Sequence, residues 1–308
     1  MTLFTPDEVM ERLQQGESLV GAELSGINLA GCTLNDANFS QAYLRVADLS
    51  GASCQGANFA QANLMLAKLN QTNLVCANLS AAELNQANLD SANLRSITAE
   101  KSIFFGAIFH HIEAVDAKFQ EADFREVQAD GGNLTRAQFL HCNLTQVRFE
   151  ECNFSESIFR DSVLEQANLS NSSWINSNLE KANLYRALFL GGRFQECSFA
   201  NANLREVDFR DVQMEEIDFL SSDCTSVAFT NSKLEKCSFL SAQLESARFE
   251  GTTLVNSSFQ DANLEQTIWQ DVELIDCNVA GAEFTDAQGL TEEQKRWLRK
   301  NGALNVPD

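Results

Sequence analysis

The sequence predicts an all-β solenoid closed by a short α-helix at each end. From Leu24 to Phe284 an apolar residue stands at every fifth position, and the frame holds through 53 consecutive pentads. A period of five fits neither a helix face, which repeats every 3.6 residues, nor an ordinary strand, which alternates every two. The residue two places before each large one is restricted as well, and is small in most pentads, from Ala22, Cys32, Ala37 and Ala42 through to Ala287. Residues two apart on extended backbone point to one side, so both positions face a narrow core. A short period kept over hundreds of residues marks a stacked repeat, because one unit cannot bury its apolar face without its neighbours.

At the N-terminal end, Thr5-Pro6-Asp7-Glu8 reads as a capping box with proline at the first helical position, and Phe4 is placed to staple onto Val9. A helix over about 6–15 follows, stopped at Gly16, with Val9, Met10 and Leu13 on one side to cover the first turn. Residues 17–288 are the repeat. In each pentad the Asn or Asp before the large residue, and the frequent Ser and Thr, are assigned to hydrogen bonds at tight corners. Thr291-Glu292-Glu293-Gln294 is a second capping box. It opens a helix over about 292–300, acidic first and carrying Arg296, Arg299 and Lys300 later, as the helix dipole favours. Leu290, Trp297 and Leu298 either close the last turn or form half of a dimer seam. Residues 1–308 are expected to form a single domain: a capping helix to residue 16, the repeat over 17–288, and a capping helix with its tail over 289–308.

Runs such as Ala57-Asn58-Phe59, Ala62-Asn63-Leu64, Ala77-Asn78-Leu79, Ala87-Asn88-Leu89 and Ala92-Asn93-Leu94 share the pattern A-(D/N)-L-x-x. Over residues 17–288 the chain resembles the pentapeptide-repeat family, in the uninterrupted style of many cyanobacterial members. The resemblance implies a right-handed quadrilateral β-helix, with four pentads making one coil of 20 residues. On that geometry the repeat gives about 13 coils and, at roughly 4.8 Å per coil, a rod on the order of 60 Å long. One column of the coil then runs Phe39, Phe59, Leu79, Ala99, Phe119, Phe139 and Phe159, and stays mostly Phe to Phe259; a second is largely aromatic from Phe149 to Trp269. Both columns read as core stacking. Three pentads exchange volume between inward sites, with Ala99, Ala114 and Ala129 at the large site and Ile97, Ile112 and Val127 at the small one. Interiors pack without appreciable voids, so these swaps compensate one another, and a local change of section or a slight bend is expected between residues 95 and 130.

Of the nine cysteines, eight fall at inward positions: Cys32, Cys142, Cys152, Cys197, Cys237 and Cys277 at the small site, and Cys54 and Cys224 at the large one. No two of these are 20 apart; Cys197, Cys237 and Cys277 lie two coils from one another, roughly 9–10 Å, which is beyond disulfide reach. They read as small filler in a reducing compartment, and no C-x-x-C offers a zinc site. Cys76 alone is outward, which marks it as the reactive thiol. His110 and His111 are adjacent at outward positions, with Asp90 and Asp130 one coil away, and His141 stands apart. No nucleophile, base and orienting group gather, and a filled core leaves no pocket. The sequence therefore assigns no catalytic residue, no cofactor and no metal ligand. The opening segment lacks the pattern of a secretory signal and no run approaches 18 apolar residues, so a cytoplasmic setting is expected.

Forty-three acidic residues against 22 basic give a formal net charge of −21. Nucleic acid and anionic membrane are poor partners for such a surface. The resemblance implies one use for it, because Qnr-type and mycobacterial pentapeptide-repeat proteins are proposed to bind gyrase by imitating DNA, and gyrase-protecting members dimerise end to end. The Qnr-type proteins carry loops that interrupt the repeat, and this chain has none. The favoured expectation is a non-catalytic scaffold or adaptor that binds another protein through exposed apolar residues. Stacking by 20 places Val46 beside Leu66 with Tyr43 and Met65 close by, and Leu220 beside Leu240 on a different face. A monomer is expected, an end-to-end homodimer is the alternative, and a structural rod without a specific partner is the third reading.

Overall fold

Backbone hydrogen bonding explains why five residues repeat. In the pentad Asn63–Ala67 of the computed structural model, Asn63 N–H donates to the carbonyl of Ala42 at 2.9 Å, Leu64 to Asn63's next-turn neighbour Glu83 at 2.7 Å, and Leu66 to Asn85 at 2.9 Å. Ala67 N–H closes the corner onto the Leu64 carbonyl at 3.0 Å. The remaining N–H, that of Met65, is taken by the side chain of Asn63 at 3.1 Å. All five donors are thereby satisfied, four by backbone and one by the Asn. The same two-residue bond recurs where the N–H groups of Ala30, Ser80 and Glu180 donate to the side-chain oxygens of Asn28, Asn78 and Asn178. Asn or Asp before the large residue supplies the acceptor for this fifth N–H, although Tyr43, Lys68 and Ile103 fill the same place in other pentads.

Successive turns pair in parallel with a fixed offset of 20, as in Glu23 with Tyr43, Asn28 with Asp48, Thr33 with Ser53 and Asn38 with Asn58. Four bridging positions per turn give each turn four faces. The second corner residue has positive φ throughout, for example +60° at Gln41 and +59° at Gln61. Positive φ at that position, with the bond from the small residue back to the large one, makes a type II turn.

The structure describes residues 4–308 in two compact units, one ending at Ile158 and the other running Phe159–Asp308. Each holds about seven turns of an all-β solenoid. The expected count of about 13 coils is not supported.

The first unit opens with α1, Pro6–Gln14, held by the capping box at Thr5: Glu8 N–H donates to Thr5 Oγ1 at 3.3 Å and Thr5 N–H to Glu8 Oε2 at 2.7 Å. Val9 is fully buried, while Met10 and Leu13 are half-buried. The Phe4 ring receives the Arg12 guanidinium at 4.9 Å from its centroid. Further on, β1 (Gln128–Asp130) pairs in parallel with β2 (Arg148–Glu150). Ala99, Ala114 and Ala129 are buried, as are Ile97, Ile112 and Val127. Phe104, Phe119 and Phe124 crowd the space around them, with Phe104 and Phe124 stacked at 4.8 Å and Phe119 edge-on to Phe124 at 4.9 Å. Ile112 fits because Gly132, one turn on, has no side chain; a Cβ there would lie 3.2 Å from Ile112 Cγ1. The exchange of volume is met by repacking, and the pairing register continues unbroken through the segment.

In the second unit six three-residue strands stack in sequence order, all parallel: β3 (Ser173–Ile175), β4 (Arg193–Gln195), β5 (Gln213–Glu215), β6 (Lys233–Glu235), β7 (Thr253–Val255) and β8 (Glu273–Ile275). Phe199, Phe219, Phe239 and Phe259 stack at 5.3, 4.6 and 4.8 Å. Phe209, Phe229, Phe249 and Trp269 form a second ladder at 5.5, 5.4 and 4.6 Å. All are buried, so the aromatic columns are core. The unit ends in α2, Glu292–Lys300, with its capping box at Thr291 and Gln294. The chain then turns back. Gly281 N–H donates to Gly302 and Phe284 N–H to Leu304, at 2.9 and 3.0 Å, and Leu304 N–H to Ala282 at 2.8 Å. Residues 302–304 thus supply the partners that a further turn would have provided, and the edge there is covered.

Several small inward positions that hold Ser, Thr or Cys carry a second role. Thr72 Oγ1 donates to the carbonyl of Leu49, Ser102 to Leu79 and Ser232 to Phe209, each 23 residues back, at 2.7–2.8 Å. Cys142 makes the same bond to Phe119 at 2.8 Å and Cys197 to Trp174 at 3.3 Å. These thiols act as weak donors in a serine's place as well as filling space.

Candidate interaction surface

Corner geometry singles out two side chains. The positive-φ position is filled mostly by Gly, Gln, Ser, Asn, Asp, Glu and Lys; among the described residues Val46 is the one β-branched occupant and Leu66 the one other aliphatic larger than Ala. Both sit at φ +61°. L-residues rarely enter this region, and a β-branched one there is a genuine outlier. The two stack one turn apart, Val46 N–H donating to the Met65 carbonyl and Leu66 N–H to that of Asn85. Val46 is 50% exposed, Leu66 39% and Tyr43, on the adjoining face, 54%, with Met65 half-buried. All four residues of the first candidate interface therefore lie together on the first unit.

Sequence reasoning missed the continuation of this patch. Ile103 is exposed and Phe105 half-buried, three turns on from Tyr43 and Arg45. Arg125, held by Asp123 through bonds of 2.6–3.1 Å, lies over the Phe105 ring at 5.6 Å. The signal was available: 103 and 105 are 43 and 45 plus 60.

The second candidate pair is weaker. Leu220 is exposed and Leu240 half-buried, joined through Ser221 N–H to the Leu240 carbonyl at 3.0 Å. At the C-terminal end Leu298 is fully buried and Leu290 nearly so, closing the last turn. Trp297 is half-buried and borders a cavity of about 190 Å³ with Leu274, Glu293 and Gln294. Gln294 also ties α2 to the solenoid, its Nε2 donating to the Val272 carbonyl at 2.9 Å.

His110 Nδ1 lies 3.3 Å from Asp130 Oδ2 and His111 Nδ1 3.5 Å from Asp90 Oδ1, two separate pairs. Among the described residues no three His, Cys, Asp or Glu side chains are grouped to hold a metal, and no helix is long and apolar enough to cross a membrane. Cys76 is exposed, and Cys32, in the first turn, is half-buried despite its inward position. Burial pushes the thiols of Cys54, Cys142, Cys152, Cys224 and Cys237 up to about 12.

Models of pentapeptide repeats (8 copies) match residues 22–59, 47–82, 62–98, 117–156, 222–261 and 257–288, and a pentapeptide repeat region matches 171–239. Neither model describes a catalytic domain. Among curated proteins none matches the sequence significantly. HetL, a pentapeptide-repeat protein involved in heterocyst differentiation regulation in Nostoc sp. strain PCC 7120, is a structural neighbour at 19% identity, covering 94% of this chain and all of its own, with a TM-score of 0.35. QnrB1, a plasmid-mediated fluoroquinolone resistance protein, is another at 17% identity over 62% of this chain and 96% of its own, with a TM-score of 0.41. A pentapeptide-repeat protein of the Arabidopsis thaliana thylakoid lumen aligns at 22% identity over 59% of this chain and 74% of its own, with a TM-score of 0.16. With the repeat model matched over more than half of its length, the chain belongs to the pentapeptide-repeat family.

Proposed function

We propose that this chain is a non-catalytic protein-interaction scaffold or adaptor that holds a partner protein on the surface of Tyr43, Val46, Met65 and Leu66. The observation that carries this reading is the pair of exposed aliphatic side chains, Val46 and Leu66, kept at left-handed corners. Strained backbone with an exposed apolar side chain is a pattern found at binding sites. The proposal includes a cytoplasmic setting, a monomeric state, the right-handed winding implied by the family, and no role for nucleic acid or membrane.

A second reading, DNA mimicry toward a topoisomerase, is favoured by the net charge of −21. Salt separates the two, since a charge-driven partner leaves as ionic strength rises and an apolar contact holds. The test is capture from native lysate, washed at low and then high salt, with the wild type and the double variant Val46→Asp/Leu66→Asp. Salt-resistant capture, lost in a double variant of unchanged melting behaviour, is expected. Capture that survives both substitutions dismisses this surface, a salt-labile topoisomerase moves the conclusion to DNA mimicry, and an empty bait leaves a structural rod.

A further inference from the structure

We infer that Asn301 is a site of spontaneous deamidation, and that the isoaspartate formed there unseats the tail that closes the last turn. Asn301-Gly302 is the one Asn-Gly pair in the chain. It lies just past the end of α2, both residues are exposed, and Gly302 has φ +86°. Deamidation requires the nitrogen of the following residue to reach the carbonyl carbon of the Asn side chain. A glycine in that place leaves its nitrogen unscreened and its backbone free to turn toward the carbon.

Hydrogen bonding holds this pair more loosely than its counterparts in the repeat. Gly302 N–H donates to the Arg299 carbonyl at 3.5 Å, beyond the usual length of such a bond. The Asn301 side chain is kept back by one bond, Nδ2 donating to the Trp297 carbonyl at 2.8 Å. In the repeat, Asn171, Asn176, Asn231 and Asn256 each precede a serine, and all four serines are buried. Asp130 precedes Gly131, whose N–H is committed to the Glu150 carbonyl one turn on at 2.9 Å. Those nitrogens are fixed by the stacking of turns, and Gly302 is not.

The reaction takes in one water and releases one ammonia. The Gly302 nitrogen bonds to Asn301 Cγ as the Cγ–Nδ2 bond breaks, and Nδ2 leaves as ammonia with the proton that Gly302 N–H gives up. Water then opens the cyclic imide. Where its oxygen adds to the main-chain carbonyl carbon of residue 301, the bond from that carbon to the Gly302 nitrogen breaks, the nitrogen regains a proton, and the chain runs on through Cβ and Cγ as isoaspartate. The backbone is then longer by one carbon, roughly 1.5 Å. Neither side of the tail yields to the added length. Leu298 is fully buried, and its carbonyl accepts from Ala303 N–H at 3.1 Å. Gly302 and Leu304 accept from Gly281 and Phe284 at 2.9 and 3.0 Å, and Leu304 donates to Ala282 at 2.8 Å. A segment so short cannot take up an extra carbon and stay in register, so its bonds to the last turn break and the edge is exposed.

The test ages the full chain at mildly alkaline pH beside two variants. Freshly purified Asn301→Asp carries the new charge without the added carbon, and Asn301→Gln has a longer amide that closes the imide far more slowly. Peptide mapping with electron-transfer fragmentation locates isoaspartate, and ion exchange separates the more acidic fraction for amide-exchange measurement. The expected result is isoaspartate at residue 301 forming at least tenfold faster than at Asn171, Asn176, Asn231, Asn256 or Asp130. In the separated fraction, exchange at Gly281, Phe284 and Leu304 should be at least tenfold faster than in the fresh protein, while Asn301→Asp exchanges as the fresh wild type does and Asn301→Gln ages without change. Isoaspartate forming at residue 301 no faster than in the repeat overturns the inference at its chemistry. Isoaspartate with unchanged exchange at those three amides, or equal acceleration in Asn301→Asp, overturns it at the unseating of the tail.

Discussion

At the corner of each turn a residue is held at positive φ, and Val46 and Leu66 are the side chains least suited to that place. Left-handed backbone costs an L-residue about 1–2 kcal/mol, more for a β-branched one, while glycine gives up roughly 0.5–1 kcal/mol in the unfolded chain. Val46→Gly is therefore expected to stabilise the protein by about 1 kcal/mol, read as a higher urea midpoint with unchanged slope. A lower midpoint would mean that Val46 contributes packing that outweighs its backbone. Gly192 presents the opposite case. A Cβ there would meet Phe194 Cε2 at 2.9 Å and the Phe189 carbonyl oxygen at 3.0 Å, and the carbonyl cannot step aside. Gly192→Ala should cost about 1–3 kcal/mol by overpacking, against little or no change if the Phe194 ring relaxes freely.

Among the elements, the two helices and the returning tail protect the ends of the stacks. Leu298→Asp sets an unpaired carboxylate where no solvent reaches, so α2 should detach first. Amide exchange is expected to accelerate at Gly281 and Phe284, whose donors the tail residues accept, while Val9 in α1 keeps its protection. Equal acceleration at both sites would show instead that the chain unfolds as a whole. Both helices were legible in the sequence because a capping box is local chemistry, four residues satisfying one another, and their ends fall within a residue of expectation. The pentad frame was legible because burial enforces it on every turn. The strain at Val46 was not, because the left-handed site accepts Gln, Glu, Lys or Arg almost anywhere and so leaves no signature of its own. Pairing of residues 302–304 was hidden for another reason: it depends on where α2 delivers the chain. Ile103 and Phe105 were within reach of column arithmetic, but comparison of immediate neighbours alone stops at the polar turn of Glu83.

For the molecule as a whole, two electrostatic loads act on stability and can be separated. A net charge of −21 repels itself, so the melting temperature at neutral pH should rise from low salt to about 0.5 M as the charges are screened. Desolvation of the buried thiols is a different load. Their ordinary value is 9.0, and burial raises Cys142 and Cys237 to about 12. Between those limits the unfolded chain releases protons that the native state retains, so the native state binds more and stability falls as pH rises through the window; below it this contribution is constant. Salt screens the surface charge but leaves desolvation nearly untouched, so an alkaline loss should persist at high ionic strength. Serine supplies the test, since Ser232 occupies an equivalent inward position and donates to the Phe209 carbonyl at 2.8 Å. Cys142→Ser/Cys237→Ser should match the wild type at pH 7 and lose less of its melting temperature at about pH 10.5 in high salt. Identical alkaline profiles would show that these two thiols carry none of the loss, and a large deficit at pH 7 would mean that sulfur's bulk, not its proton, is what those two positions require.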